Sequence, residues 1–88
     1  MNNQPGKMQF PCDFTFKVIG RAATAFEGEV MGILHQYFPQ LSEGAITLKH
    51  SKQGKYLAMT IHVMATSQDQ LDQIYRALNA SPHVLFAL

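Results

Sequence analysis

The sequence predicts an α+β sandwich: a four-stranded antiparallel sheet, in the order 4-1-3-2, carrying two helices on one face. Three observations lead there. Segments that alternate apolar and polar residues, segments with a helical apolar period, and turn residues between them follow one another as strand, helix, strand, strand, helix, strand. The chain has 88 residues, enough for one hydrophobic core and too few for two.

Phe14 to Ile19 alternates, with Phe14, Phe16 and Val18 on one side, and Gly20 is expected to end this first strand. Thr24 stands three residues before Glu27, the spacing of a capping box. Phe26, Val30, Ile33, Leu34 and Tyr37 then form one helical stripe that Pro39 closes. Gly28 and Gly32 lie opposite that stripe, each costing about 1 kcal/mol relative to Ala in a helix interior.

Ala45 to Ser51 alternates again, with Ile46, Leu48 and His50 sharing a side. Ser51 to Lys55 supplies a turn, and Tyr56 to Ala65 is a β-rich run with Leu57, Met59, Ile61 and Val63 on one face. A hairpin centred on Gln53-Gly54 sets Leu48 against Met59 and Ile46 against Ile61, so both apolar rows fall on the same side. Ser67 and Gln70 form a second capping box, followed by the stripe Leu71, Ile74, Tyr75 and Leu78. Pro82 opens the last strand, His83 to Leu88. This is the ferredoxin-like order, with the first and third strands central and the second and fourth at the edges. Residues 1–9 read as a polar tail and 10–88 as the single folded domain.

The hydrophobic share is 47%, ample for a core, while charged residues supply 15% against about 25% in typical domains. That composition excludes a disordered chain. A net charge of +1 argues against nucleic acid or an acidic membrane as a partner held mainly by charge. Cys12 is the only cysteine, so neither an intramolecular disulfide nor a cysteine-based zinc site is expected, and a reducing, cytoplasmic setting fits best. The first residues lack the apolar core of a signal peptide, and no apolar run reaches the roughly 18 residues of a membrane span.

Four pieces carry a family resemblance. They are Phe10-Pro11 with Phe14, Phe16-Lys17-Val18 and Gly20; Gly54-Lys55-Tyr56-Leu57 with Thr60; Leu71-Asp72 with Ile74-Tyr75-Arg76 and Leu78; and Pro82 with Val84. Together they resemble the YbeD-like proteins, small bacterial proteins of unassigned biochemical function, over about Phe10 to Leu88. The resemblance implies a ferredoxin-like fold similar to the ACT-type regulatory domains that sense amino acids, and it implies no activity. Ala58 replaces the Ser usual in that family, and Leu85 replaces a basic or polar residue, so any polar role at those positions does not carry over.

The chemistry-bearing residues do not assemble into a catalytic pattern. Of the histidines, His50 and His62 fall on opposite sheet faces, and His35 lies on a helix side turned away from the apolar stripe, so no metal site and no cofactor is expected. Cys12 has Asp13 beside it rather than the positive neighbour that activates a thiolate. No paired-carboxylate or phosphate-loop motif exists, and the chain is read as a non-enzyme. An RNA-recognition sheet needs aromatic rings on its central strands, where this chain offers Thr15, Lys17, Ile19, Tyr56, Ala58, Thr60, His62 and Met64. With one aromatic among them, at a strand end, nucleic acid is not the expected partner.

Two surfaces remain. Gly20, Arg21 and Ala22 lead into the first helix, whose free amides could hold a small anionic metabolite in the manner of an ACT domain. The stronger candidate is the last strand, because residues 77–88 contain no Asp, Glu, Lys or Arg although exposed edges are usually guarded by charge. Val84, Leu85 and Ala87 are therefore expected to pair with a second copy of the chain or dock a partner protein, with Leu85 and Ala87 joining Ile19 and Met64 on the helix-free face.

Overall fold

The computed structural model describes residues 9–88, so the expected polar tail lies outside the described residues except for Gln9. The elements run β1 (Cys12–Arg21), α1 (Thr24–Tyr37), a 3-10 turn (Glu43–Ala45), β2 (Ile46–His50), β3 (Tyr56–Ala65), α2 (Gln68–Ala80) and β4 (Val84–Ala87). The sheet is antiparallel in the order β2-β3-β1-β4, which is the predicted 4-1-3-2 read from the other edge. Phe16 and Val18 of β1 and Leu57, Met59, Ile61 and Val63 of β3 face Phe26, Val30 and Leu34 of α1 and Ile74 and Leu78 of α2 in one buried cluster. Burying such side chains stabilises the fold by about 1.5–3 kcal/mol each.

The hairpin register is as expected: Leu48 opposes Met59 and Ile46 opposes Ile61. Gly54 takes a positive φ of 73° at the turn, a conformation cheap for glycine, and its N–H donates to the Ser51 carbonyl at 2.9 Å. The helix starts divide. Ser67 caps α2, its hydroxyl accepting from the Gln70 N–H at 3.0 Å while Gln70 Oε1 accepts from the Thr66 N–H at 2.9 Å. Thr24 does not cap α1: Ala23 holds the extended cap position, and no side chain accepts there. Thr24 is already helical, so its hydroxyl sits one residue too late for the role.

Two further expectations are corrected. Gly20 does not end the first strand; β1 runs through it to Arg21, with Leu57 on one side and Val84 on the other. The last strand begins at Val84, because Pro82 and His83 form a turn in which the Val84 N–H donates to the Ser81 carbonyl at 3.2 Å.

Candidate interaction surface

The reason for a glycine at position 20 is packing. The residue is buried, and a Cβ there would stand 2.6 Å from the His83 carbonyl oxygen and closer still to the Phe26 ring. The neighbouring positions offer little to an anion. The Ala22 N–H is spent on the Lys55 carbonyl at 2.9 Å, Arg21 is an exposed strand residue beside Tyr56, and Glu27 adds a carboxylate to the first turn of α1. Gly20, Arg21 and Ala22 are thus adjacent as expected, but the glycine is explained without a ligand.

The last strand departs from simple alternation. Gly20 pairs with Val84 whereas Ile19 pairs with Phe86 and Val18 with Ala87, so a bulge leaves Leu85 as the extra residue. The bulge changes which side chains look outward. Val84 and Ala87 pack against the core, so Ala87 does not join Ile19 on the helix-free face; Phe86 opposes Ile19 there instead. Leu88 continues the pairing through reciprocal backbone bonds with Lys17 at 3.1 and 2.8 Å. The outcome is a run of apolar side chains outside the core: Leu85 is 51% exposed, Phe86 47% and Leu88 67%.

These residues continue across the sheet. Ile19 stands between Phe86 on β4 and Ala58 on β3, and Ala58 stands next to Lys49 on β2. A depression of about 250 Å³ lies on this row, lined by Ile19, Lys49, Tyr56 and Ala58 among others. Tyr56 opposes Arg21 one row further along, with the guanidinium carbon 5.8 Å from the ring centroid. Met64 shares the face but not the neighbourhood. It pairs with Asp13, six residues along β1 from Ile19 and so about 20 Å away, and lines a separate groove of about 600 Å³ beside Tyr37, Phe38 and Leu41.

Of the residues expected on this surface, Ile19 and Leu85 stand in the open row, Met64 lies at a distance along the face, and Val84 and Ala87 pack against the core; Phe86, Leu88, Tyr56 and Ala58, not named among them, lie on the same surface. Strand parity, already set by the hairpin, held the signal for Tyr56 and Ala58. Nothing in the all-apolar run Val84 to Leu88 marked the bulge that turns Phe86 outward.

The histidines are dispersed: His35 on α1, His50 on β2, His83 before β4, and His62 on β3 with Nδ1 2.9 Å from Thr15 Oγ1. Among the described residues no three His, Cys, Asp or Glu side chains gather where they could hold a metal ion. No helix among them is long and apolar enough to cross a membrane.

A sheet in the order β2-β3-β1-β4 with both helices on one face defines a small α+β module of ferredoxin-like, ACT-like fold. Solved structures agree on that class. The ACT domain from GTP pyrophosphokinase of Chlorobium tepidum superposes with a TM-score of 0.68 over 88% of this chain and 97% of that one, at 13% identity. Protein HP0495 of H. pylori gives 0.71 over 100% and 94%, at 17% identity. These likenesses concern the fold alone. The chain belongs to the family described as protein of unknown function (DUF493), whose profile matches residues 6–88. Its relatives include UPF0250 proteins of Nitrosomonas europaea, 35% identical over 92% of this chain and 93% of the relative, and of Bordetella pertussis, 35% identical over the full length of both. The resemblance to the YbeD-like proteins, drawn from four short pieces of sequence, is thereby borne out, as is the ACT-like fold.

Proposed function

We propose that this protein is a non-catalytic regulatory or interaction module of the bacterial cytoplasm, acting by association through β4 and the helix-free sheet face. The observation that carries this reading is the contiguous apolar row Ala58, Ile19, Phe86 and Leu85, which no helix covers. The missing charge along the edge carries less weight than the row does. A strand of four residues with a bulge is already a poor template for edge pairing, so its lack of lysine is partly accounted for. Shortness and a bulge do nothing to explain why leucine and phenylalanine stand together on the face.

The test is Leu85→Lys, with the molecular mass and the set of co-purifying proteins as readouts. Leu85 lies outside the buried core, so the variant keeps the fold while a charge enters the row. Loss of self-association or of a recovered partner is the expected result. A wild-type chain that is monomeric at high concentration, with a pull-down unchanged by Leu85→Lys, refutes the proposal.

A further inference from the structure

Most of the charge on the described residues is sorted by layer. The carboxylates of Glu27 and Glu29 stand on α1, those of Asp69 and Asp72 on α2, and Glu43 in the 3-10 turn; Asp13 is at the far end of the sheet beside Met64. The cations lie on the other side. Lys17, Arg21 and Lys49 have the strand parity of Ile19 and Ala58, and Lys52 and Lys55 border Tyr56 at the hairpin. Arg76, on α2, is the exception among the described residues. The apolar row is therefore rimmed by positive charge at the hairpin end, with no carboxylate side chain among its neighbours in the strand pairing.

From this rim we infer that the occupant of the face is an acidic segment of another protein, with apolar side chains at its centre and Asp or Glu at its margins. The inference rests on the interaction reading above and names the partner's chemistry. An apolar centre within a charged rim is the usual anatomy of a protein interface, and complementary charge there chiefly sets specificity and encounter rate.

Two other occupants fit less well. A second copy related by two-fold symmetry would present the same basic rim and no carboxylate to pair with it, so charge complementarity gains nothing from self-association. A copy added head to tail would offer its acidic helices, but the large exposed apolar side chains of the described chain are Leu48, Tyr56, Met64, Leu85, Phe86 and Leu88, none of them on a helix. Single-stranded nucleic acid would find the cations but not the platform. Ile19, Lys17, Ala58 and Thr60 occupy the middle of the central strands, while Tyr56 stands at a strand end under Arg21 and Phe86 at the edge.

The experiment uses the full chain, labelled with ¹⁵N and titrated at low salt with three probes: a short peptide of alternating Glu and Leu, the same peptide with Lys for Glu, and oligouridylate. The Glu peptide is expected to move the amides of Ile19, Tyr56, Ala58 and Phe86 and to bind at least ~10-fold more tightly than the Lys peptide, with the advantage shrinking as salt rises. Lys49→Glu combined with Lys55→Glu changes exposed positions only, and is expected to abolish that preference while the rest of the spectrum stays in place. Equal binding of the two peptides on this face overturns the acidic partner and leaves the interaction module standing. Tighter binding of oligouridylate overturns it in favour of nucleic acid. Absence of shifts from the Glu peptide also overturns it, and only if Leu85→Lys is silent as well does the interaction reading fall with it.

Discussion

Gly20→Ala tests whether the fold or a ligand demands the glycine. The methyl group would enter a space closed on two sides: by the His83 carbonyl at 2.6 Å, which is backbone, and by the Phe26 ring, which is only 1% exposed. Gly20 is itself hydrogen-bonded into the sheet between Leu57 and Val84, so the strand cannot drift away without loosening two pairings. Overpacking of a full core costs about 1–3 kcal/mol, and with neither neighbour free to yield the upper end, about 3 kcal/mol, is expected. For a domain of this size each kcal/mol lowers Tm by about 4–8 °C, so the variant should melt at least about 12 °C below wild type.

The assay is urea and thermal unfolding followed by circular dichroism. A double-mutant cycle isolates the cause. Phe26→Leu removes part of the obstructing ring, so Gly20→Ala in that background should cost at least about 1 kcal/mol less than in wild type. A Gly20→Ala protein that melts within about 2 °C of wild type, or one whose cost is indifferent to Phe26, would refute the packing argument and reopen the strand-to-helix turn as an anion site.

The remaining predictions concern helices and a hydroxyl. Ser67→Ala removes the acceptor of the Gln70 N–H and should cost about 1 kcal/mol in urea unfolding, whereas Thr24→Ala, which loses no cap bond, should stay within about 0.5 kcal/mol. Gly28→Ala and Gly32→Ala each add a Cβ with nothing within 4 Å, and should each stabilise α1 by about 0.5–1 kcal/mol with a matching rise in Tm. Burial pushes the Tyr75 hydroxyl above the ordinary tyrosine range, so the folded state holds this proton more tightly than the unfolded one. That contribution is complete below the unfolded pKa of about 10 and is lost as pH rises through the folded value. Between pH 9 and 11 the urea midpoint of wild type should thus fall more steeply than that of Tyr75→Phe, and parallel curves would contradict it.

Where two independent signals pointed the same way, the sequence was readable to the residue. The β2–β3 register followed from the Gln53-Gly54 turn and from the alternation of both strands, and a slip by one would have turned Leu48 and Met59 to opposite faces. Ser67 was legible because its capping partner Gln70 and the apolar stripe begin in phase. At Thr24 the same motif misled, since the cap is decided by which residue is still extended, and that residue is Ala23 at φ −151°. Gly20 read as punctuation because a glycine ends strands more often than it fills one. Its real constraint, the Phe26 ring across the layer, is tertiary and leaves no local mark.

The charge pattern was hidden for a different reason. A net charge of +1 is a sum, and a sum near zero describes both an even mixture and two opposed layers equally well. Topology is what separates them here: crossovers place α1 and α2, with their carboxylates, on one face, and strand parity places Lys17, Arg21 and Lys49 on the other. The polarity in turn bears on how the open row is used. An apolar strip on a neutral surface would invite any apolar partner, including its own copy, and would be an aggregation hazard. A strip bordered by Arg21, Lys49, Lys52 and Lys55 finds no opposite charge on its own image, while its apolar centre stays available to a chain of opposite sign. On the proposed reading the basic rim is what would select a partner, a role the uncharged fourth strand cannot fill by itself.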